Sequence, residues 1–296
     1  MAGLFPWSHL IRFENNEIIY YGNAVFAPGQ VPGQITQLAK SGELQAQVIK
    51  GDPLSPDATL TTEYLQVEKL LCPLTHDQVP IIRCVGLNYM QHIKEGGRTP
   101  PPYPSLFIKP NTCLAAFDAD IKIPFIAQET LDYEGELTIV IGKDAIDVPE
   151  ERALDYIAGY VASNDISCRI WQRDPKYAGN VPQWCFSKGF DSFAPIGPMI
   201  VSPTVLGAAD NQTLETTVNH DLRQDSNTSD LLFGVRRIVS FLSQGTTLKK
   251  GSLIMTGTPS GVALGMKPVP IYLKDGDVVK VEIGGLGMME NKMVFV

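Results

Sequence analysis

From residue 105 onward the chain is dominated by short apolar or alternating stretches that end in turn residues, which is the pattern of β-strands. Helical spacing is limited to NYMQHIKEGG, Pro149–Tyr156 and Asp230–Leu242. Many strands, few helices and turn-rich connections predict an α+β fold built on a mixed or rolled sheet. The predicted strands are SLFIKP, ADIKIP, GELTIVIG, YIAGYVASND, PIGPMIVSP, LETTVNHDLRQD, GSLIMTGTPSG and DVVKVEIGGLGMMENKMVFV.

The N-terminal quarter of the chain forms a separate pattern. IIYYGNAVF and LQAQVIKGDPL predict strands, with a turn and a short element between them. We therefore expect a small α/β module over residues 1–75 and a main domain over residues 76–296, which begins with the strand VPIIRCVGLNY. No strand leads into GxGxxG and no P-loop occurs, so a nucleotide-binding fold is not predicted.

Composition narrows the classes of partner. Apolar residues make up 44% of the 296 positions, enough for a large core. The 24 basic and 32 acidic residues give a net charge of −8 without a basic run, so neither nucleic acid nor a membrane is an expected partner. Five cysteines without a CxxC pair argue against a zinc site and a disulfide framework. We expect a reducing compartment, the cytoplasm, with the mitochondrion as the alternative.

Two glutamates lie two residues apart in LDYEGELTIVIG, just before its apolar half. Residues at i and i+2 of a strand point to the same face, so Glu134 and Glu136 would repel each other unless water or a cation offsets their charge. On the pair alone, a solvated strand face is the better interpretation. Asp165 ends another apolar strand and would add a third hard oxygen ligand of the kind that Mg²⁺ prefers.

A possible acid–base pair lies on the predicted helix NYMQHIKEGG. His92 and Glu95 are three residues apart, which places them on one helix face. A carboxylate beside histidine fixes its tautomer, and the two groups together can activate a water. On spacing alone, an ordinary surface pair is the better interpretation.

Ordered motifs over residues 80–296 make the sequence resemble the fumarylacetoacetate hydrolase family. The segment CVGLNYMQHIKEGG resembles its C-V-G-x-N-Y-x-x-H-x-x-E motif, and LDYEGELTIVIGKDA resembles its Y-E-x-E-L strand. Further matches are SLFIKP, YIAGYVASNDISCRIWQ, FSKGFDSFAPIGPMIVS, RQDSNTSDLLF and GSLIMTGTPSGV. The resemblance implies a mixed β-roll catalytic domain, a homodimer and Mg²⁺ as cofactor, with Mn²⁺ or Ca²⁺ as substitutes.

The resemblance also implies roles for individual residues. The metal ligands would be Glu134, Glu136 and Asp165, and the catalytic residues would be His92, Glu95 and Lys188. Substrate contacts are expected from Arg169, Gln172, Thr258 and Tyr89. Asp132 is expected to lie outside the metal shell.

The implied substrate is a small oxo acid or 1,3-dicarbonyl acid, and the reaction stays open. A cation that stabilises an enolate supports hydrolysis of a C–C bond in an acylpyruvate. The same stabilisation supports decarboxylation of an oxaloacetate-like acid, or isomerisation, tautomerisation or hydration. Leu87 stands where many members have arginine, which favours a less charged substrate. The proline-rich loop GGRTPPPYPS fits a lid or a fixed wall equally well.

Overall fold

The computed structural model describes residues 4–296, and strands outnumber helices throughout them. The strands are β1 (His9–Asn15), β2 (Ile18–Val25), β3 (Gln45–Lys50), β4 (Thr59–Gln66), β5 (Lys69–Leu71), β6 (Ile82–Gly86), β7 (Ser105–Lys109), β8 (Leu114–Ala116), β9 (Ile121–Ile123), β10 (Leu131–Asp132), β11 (Gly135–Ile141), β12 (Ile157–Asn164), β13 (Ser167–Cys168), β14 (Ala194–Val201), β15 (Thr213–Val218), β16 (Asp221–Asn227), β17 (Leu253–Met255), β18 (Val278–Ile283) and β19 (Gly287–Phe295). The α+β fold predicted from the pattern is confirmed.

Helices are short and lie between the strands. The α-helices are α1 (Ile35–Lys40), α2 (Met90–Glu95), α3 (Arg169–Arg173), α4 (Pro175–Ala178), α5 (Trp184–Lys188), α6 (Pro203–Leu206) and α7 (Val235–Leu242). Turns of 3₁₀-helix cover Pro32–Gln34, His76–Gln78, Asn111–Cys113, Phe125–Ala127, Glu150–Tyr156, Thr228–Asp230 and Ala263–Gly265. None of the helices within residues 4–296 combines the length and apolarity needed to cross a bilayer.

Two large sheets form the body of the protein. A 12-stranded sheet has the order β4-β3-β2-β1-β14-β12-β11-β17-β6-β7, with β5 paired to β1 and β8 to β14. A five-stranded sheet has the order β16-β15-β18-β19-β9 and packs against β11 and β12. Both sheets mix parallel and antiparallel pairs, because β17 runs parallel to β6 and β19 runs parallel to β9. The resulting architecture is a mixed roll.

Strand β11 lies at the centre, with both of its faces covered. Leu137 and Ile139 point into the core between the two sheets, where Val281 and Ile283 meet them. Val140 points into a second apolar cluster on the opposite face. Every residue of β11 is buried, which explains why the strand is β-branched and apolar from Leu137 to Ile141. A rigid, fully buried strand therefore supports the acidic residues at its start.

The N-terminal strands continue the large sheet. Strand β1 pairs with β14, with His9 opposite Val201 and Leu10 opposite Ile200. Hydrogen bonds between β1 and β14 thus join β1 to β5 to the rest of the large sheet. The predicted boundary between residues 75 and 76 stays a prediction, and it falls just before β6 begins at Ile82.

Candidate active site

The pairing of β11 with β12 brings two distant acids together. Gly135 lies opposite Asn164, so the residues just beyond them, Glu134 and Asp165, are neighbours at the end of the ladder. The Asp165 N–H donates to the Glu134 carbonyl at 2.8 Å, and the Asn164 side chain accepts from the Glu134 N–H at 2.9 Å. The backbone therefore holds both carboxylates at one end of the buried sheet.

Three carboxylates converge at this point. One oxygen from each of Glu134, Glu136 and Asp165 lies within 4.8 Å of the corresponding oxygens of the other two. All three side chains are buried, so the interpretation of a solvated strand face is wrong. Gly257 assists, because its N–H donates to Glu136 Oε2 at 2.6 Å and its φ of +102° is one that glycine adopts without strain.

Three buried cations surround these acids. The Lys188 ammonium lies 2.8 Å from Glu134 Oε2 and 2.6 Å from Asp165 Oδ2. Lys109 donates to Asp165 Oδ1 at 2.5 Å and to the Phe193 carbonyl at 2.7 Å. Arg169 binds Glu134 through Nη2 and Asp132 through Nε. Each cation thus compensates one or two of the carboxylates.

The charges of this cluster do not balance. Seven side chains of Asp, Glu, Lys and Arg are buried among residues 4–296, and all seven are here, four acids facing three bases. Burial raises the pKa of Glu134, but Lys188 and Arg169 outweigh that effect and lower it to about 2. Burial, then Asp165 and Glu134, raise the pKa of Glu136 well above its ordinary value. Glu136 is therefore the acid that lacks a compensating cation.

The cluster fits a divalent cation. The Glu136 carboxylate accepts one hydrogen bond, from the Gly257 N–H, and makes no ion pair within 4 Å among the described residues. A buried carboxylate is costly without a counter-charge, and a cation shared with Glu134 and Asp165 would supply one. An all-oxygen donor set suits Mg²⁺, Mn²⁺ or Ca²⁺ and is a poor match for softer metals.

The His–Glu pair predicted on one helix face is formed. His92 Nδ1 and Glu95 Oε2 are 2.9 Å apart on α2, and both side chains are partly buried. Glu95 Oε1 also accepts from the Gly261 N–H at 3.0 Å, which ties the helix to the loop after β17. Partial burial raises the pKa of Glu95, but the bonds from His92 and Gly261 lower it overall. Gly265 leaves the room that the Glu95 carboxyl occupies.

One cavity of about 240 Å³ connects the pair and the acids. Its floor contains Glu134, Glu136 and Lys188, and its side carries His92 and Glu95. The other lining residues are Val85, Gly86, Leu87, Gly96, Arg98, Phe107, Arg169, Gln172, Arg173, Pro182, Trp184, Gly257, Thr258, Val262, Leu264, Gly265 and Lys267. The proline-rich loop reaches this cavity through Arg98, and its Tyr103 ring stacks on Phe241 at 5.8 Å between centroids.

Three of the four residues predicted to contact the substrate line the cavity, and the fourth does not. Arg169, Gln172 and Thr258 line the cavity, whereas Tyr89 is fully buried and lies outside the lining. The Thr258 hydroxyl is already bonded to the Gly135 carbonyl, and Gln172 accepts from Arg169 Nη1 at 3.0 Å. The contact expected of Tyr89 stays a prediction, and burial raises the pKa of its hydroxyl.

Sequence reasoning missed Lys109, although SLFIKP was among the matched motifs. In β7 the side chains alternate, so Phe107 and Lys109 share the buried face while Leu106 and Ile108 are exposed. The available signal for a buried Lys109 was its position two residues after Phe107, on the same face of the strand.

Asp132 lies outside the carboxylate triad, as expected, and accepts hydrogen bonds from Arg169, Ala263 and Leu264.

We expect Lys109→Met to destabilise the fold by about 3–5 kcal/mol, the typical cost of removing one partner from a buried ion pair. The change leaves Asp165 with Lys188 alone and leaves the Phe193 carbonyl without its donor. Urea unfolding monitored by circular dichroism measures the change. The matched control is Lys122→Met on β9, which is exposed and should shift stability by less than about 0.5 kcal/mol. Equal shifts in the two variants would contradict this role for Lys109.

A family model and several known proteins match most of this chain. Residues 81–294 match the family model described as fumarylacetoacetate (FAA) hydrolase C-terminal. The caffeoylpyruvate hydrolase of Neonothopanus nambi is 40% identical over 292 residues, which cover 96% of this chain and 92% of that protein. The mitochondrial oxaloacetate tautomerase fahd2 of Xenopus laevis is 35% identical over 264 residues, 89% of this chain and 79% of that one.

A solved structure shares the whole architecture. The 5-carboxymethyl-2-hydroxymuconate delta-isomerase from Mycobacterium smegmatis superposes with a TM-score of 0.78 and 31% identity. The match covers 97% of this chain and 100% of that one, so it includes the N-terminal strands as well as the cavity.

Proposed function

This chain belongs to the fumarylacetoacetate hydrolase family, and from that premise we propose that it hydrolyses a C–C bond in an acylpyruvate or related 1,3-dicarbonyl acid with a divalent cation. The observation that carries the proposal is a triad of buried carboxylates, two of which, Glu134 and Glu136, line the same cavity as the His92–Glu95 pair. The cavity is smaller than the roughly 300–1,000 Å³ typical of sites for drug-sized ligands. A small oxo acid suits that size.

The cation would be held by Glu134, Glu136 and Asp165. We assign Mg²⁺, with Mn²⁺ or Ca²⁺ as substitutes, because all three ligands are hard oxygen donors. Bound there, it supplies a Lewis acid that stabilises negative charge on the dicarbonyl oxygens of the substrate. Lys188, whose pKa is lowered by burial but raised overall by Asp165 and Glu134, keeps a positive charge at the same floor.

His92 and Glu95 would activate the attacking water. When the Nδ1–H donates a hydrogen bond to Glu95, the lone pair of Nε2 is free to accept a proton from water. The water oxygen bonds to the acyl carbon, and the bond from that carbon to the methylene carbon breaks. The electron pair stays on the methylene carbon, which gains a proton, so the products are a carboxylic acid and pyruvate.

Arg169 and Gln172 would position the substrate. Three of the five N–H groups of Arg169 donate to Asp132, Glu134 and Gln172. The other two remain for a substrate carboxylate or oxo group. Gln172 accepts with its oxygen and keeps its amide N–H groups. The Thr258 hydroxyl is occupied, so Thr258 would contact the substrate through its backbone.

A decarboxylase, tautomerase or other isomerase acting on a 2-oxo acid is the second candidate. One relative is named an oxaloacetate tautomerase and one solved neighbour a delta-isomerase. These reactions also place negative charge on an oxo oxygen, so the same floor would serve them without attack by water.

Product analysis with acylpyruvates, oxaloacetate and bulkier β-diketones tests the proposal. We expect pyruvate and the matching acid from acylpyruvates in the presence of Mg²⁺, and no turnover with a chelator. Release of CO₂ from oxaloacetate together with intact acylpyruvates would favour the second candidate.

We also propose an oligomeric state and a cellular compartment for the protein. We propose a homodimer, as the membership of the family implies, and large apolar side chains such as Phe125, Val181 and Phe186 are exposed and available for an interface. All five cysteines are free, which fits a reducing compartment such as the cytoplasm or the mitochondrial matrix.

A further inference from the structure

One buried carboxylate takes part in neither the triad nor the His–Glu pair. Asp132 is fully buried and does not line the cavity. Its Oδ1 accepts from the Tyr133 N–H and from the Ala263 N–H, each at 2.8 Å. Its Oδ2 accepts from Arg169 Nε at 2.8 Å and from the Leu264 N–H at 3.0 Å. These four donors occupy the acceptor sites of the carboxylate, so Asp132 has none left for a cation or a substrate.

The backbone brings Asp132 and Arg169 together. Strand β10 pairs with β13, which sets Asp132 opposite Ser167, and helix α3 begins at Arg169 two residues later. The Arg169 N–H also donates to the Thr130 carbonyl at 3.0 Å. Both side chains therefore start from hydrogen-bonded backbone, and the strand register decides that they meet.

The guanidinium of Arg169 is bound through all three of its nitrogens. Nη2 donates to Glu134, Nη1 donates to Gln172, and Nε donates to Asp132. Glu134 also pairs with Lys188, whereas Asp132 forms its only ion pair among the described residues with Arg169. Burial lowers the pKa of Arg169, but Asp132, followed by Glu134, raises it overall. Asp132 is therefore the counter-ion that serves Arg169 alone.

The same carboxylate fixes a second wall of the cavity. The N–H groups of Ala263 and Leu264 belong to the 3₁₀ turn Ala263–Gly265, and Leu264 and Gly265 line the cavity. Both N–H groups donate to Asp132, which also binds the Arg169 side chain. One buried group thus sets the position of the guanidinium relative to this turn.

We propose that Asp132 is a positioning residue that acts through Arg169, whose guanidinium it holds in the orientation that receives a substrate carboxylate or oxo group. This inference rests on the substrate contact proposed for Arg169. Because Nε, Nη1 and Nη2 are each bound once, the plane of the guanidinium is fixed, and so are the directions of its two free N–H groups. Asp132 thereby affects substrate binding without touching the substrate.

Asp132→Asn tests this role with a side chain of equal size. An amide has one acceptor oxygen, so its NH₂ group must face two of the four donors that the carboxylate binds. We expect KM for an acylpyruvate to rise about 10- to 100-fold, the effect of one hydrogen bond to a charged group, with kcat changed by less than about threefold. Calorimetry with pyruvate at saturating Mg²⁺ should show the same loss of affinity. Pyruvamide, which lacks the carboxylate, should bind the wild type and the variant alike.

A double-mutant cycle separates positioning from a purely structural role. Arg169→Gln should weaken pyruvate binding by a similar factor. Adding Asp132→Asn to Arg169→Gln should then change the affinity by less than about twofold, because the group through which Asp132 acts is gone. The double variant removes one buried acid and one buried base, so the excess of one acid in the buried cluster is unchanged. Its comparison with Arg169→Gln decides the matter even if Asp132→Asn alone does not fold.

The control variant is Asp225→Asn, which neutralises an exposed acid on β16 and should leave KM and both affinities unaltered. The inference is overturned by unchanged pyruvate affinity in Asp132→Asn, by losses that multiply in the double variant, or by equal affinities of the wild type for pyruvate and pyruvamide. If acylpyruvates are not cleaved, the proposed hydrolysis fails, and the calorimetric cycle with pyruvate still decides the role of Asp132.

Discussion

Glu136→Gln should abolish divalent-cation binding and reduce activity by more than about 100-fold, since a neutral amide is a weak ligand and the lost charge is the uncompensated one. The side chain keeps its size, and an amide oxygen can still accept from the Gly257 N–H. The change leaves three carboxylates facing three cations in the buried cluster. Isothermal titration with Mn²⁺ measures the binding directly.

The stability of this variant distinguishes a metal site from a purely structural cluster. In chelator, Glu136→Gln should be at least as stable as the wild type, because it removes a buried charge that lacks a partner. Adding cation at 100 times its Kd should stabilise the wild type by about 2.7 kcal/mol and leave the variant unchanged. Glu282→Gln, which alters an exposed carboxylate on β18, is the control. Unaltered Mn²⁺ binding in Glu136→Gln would show that the triad does not hold the metal.

His92→Ala should lower C–C hydrolysis by about 10²- to 10⁴-fold, the usual contribution of a general base. Mn²⁺ affinity should not change, because His92 is not part of the carboxylate triad. His220→Ala, an exposed histidine at the turn between β15 and β16, controls for loss of an imidazole elsewhere. Steady-state kinetics with an acylpyruvate and with oxaloacetate separate the two candidate reactions. If His92→Ala still hydrolyses acylpyruvates while losing decarboxylation, the role given to the histidine is wrong.

Local features of the site were readable from the sequence. The i, i+3 spacing of His92 and Glu95 requires only one turn of helix, and the structure shows the contact at 2.9 Å. The buried strand GELTIVIG was equally clear, because the residues after Glu136 are β-branched or apolar without interruption. Both signals depend on neighbours in the chain, which a single sequence contains.

Non-local features required the folded chain. The sequence did not reveal that Glu134 and Asp165 are neighbours, because this depends on the register that sets Gly135 opposite Asn164. Lys109 was missed because its carboxylate partner lies 56 residues away. Helices α3 to α5 were also missed, since each has only four or five residues, too few for a periodic pattern.

The sequence also did not reveal that the N-terminal strands continue the large sheet. Strand β1 pairs with β14, which lies almost 190 residues later, and nothing local in HLIRFEN indicates that partner. The strand pattern predicted a small module over residues 1–75, and it did not reveal that β1 to β5 belong to the large sheet. Sheet pairing of this kind is decided by tertiary packing more than by strand propensity.

Cleavage of an acylpyruvate in ¹⁸O-labelled water, followed by mass spectrometry, tests the central claim most directly. The account predicts that the released carboxylic acid carries ¹⁸O in its carboxylate, that pyruvate is formed in equal amount, and that both products require Mg²⁺. Release of CO₂ without a labelled acid, or the same cleavage rate in chelator, would contradict it.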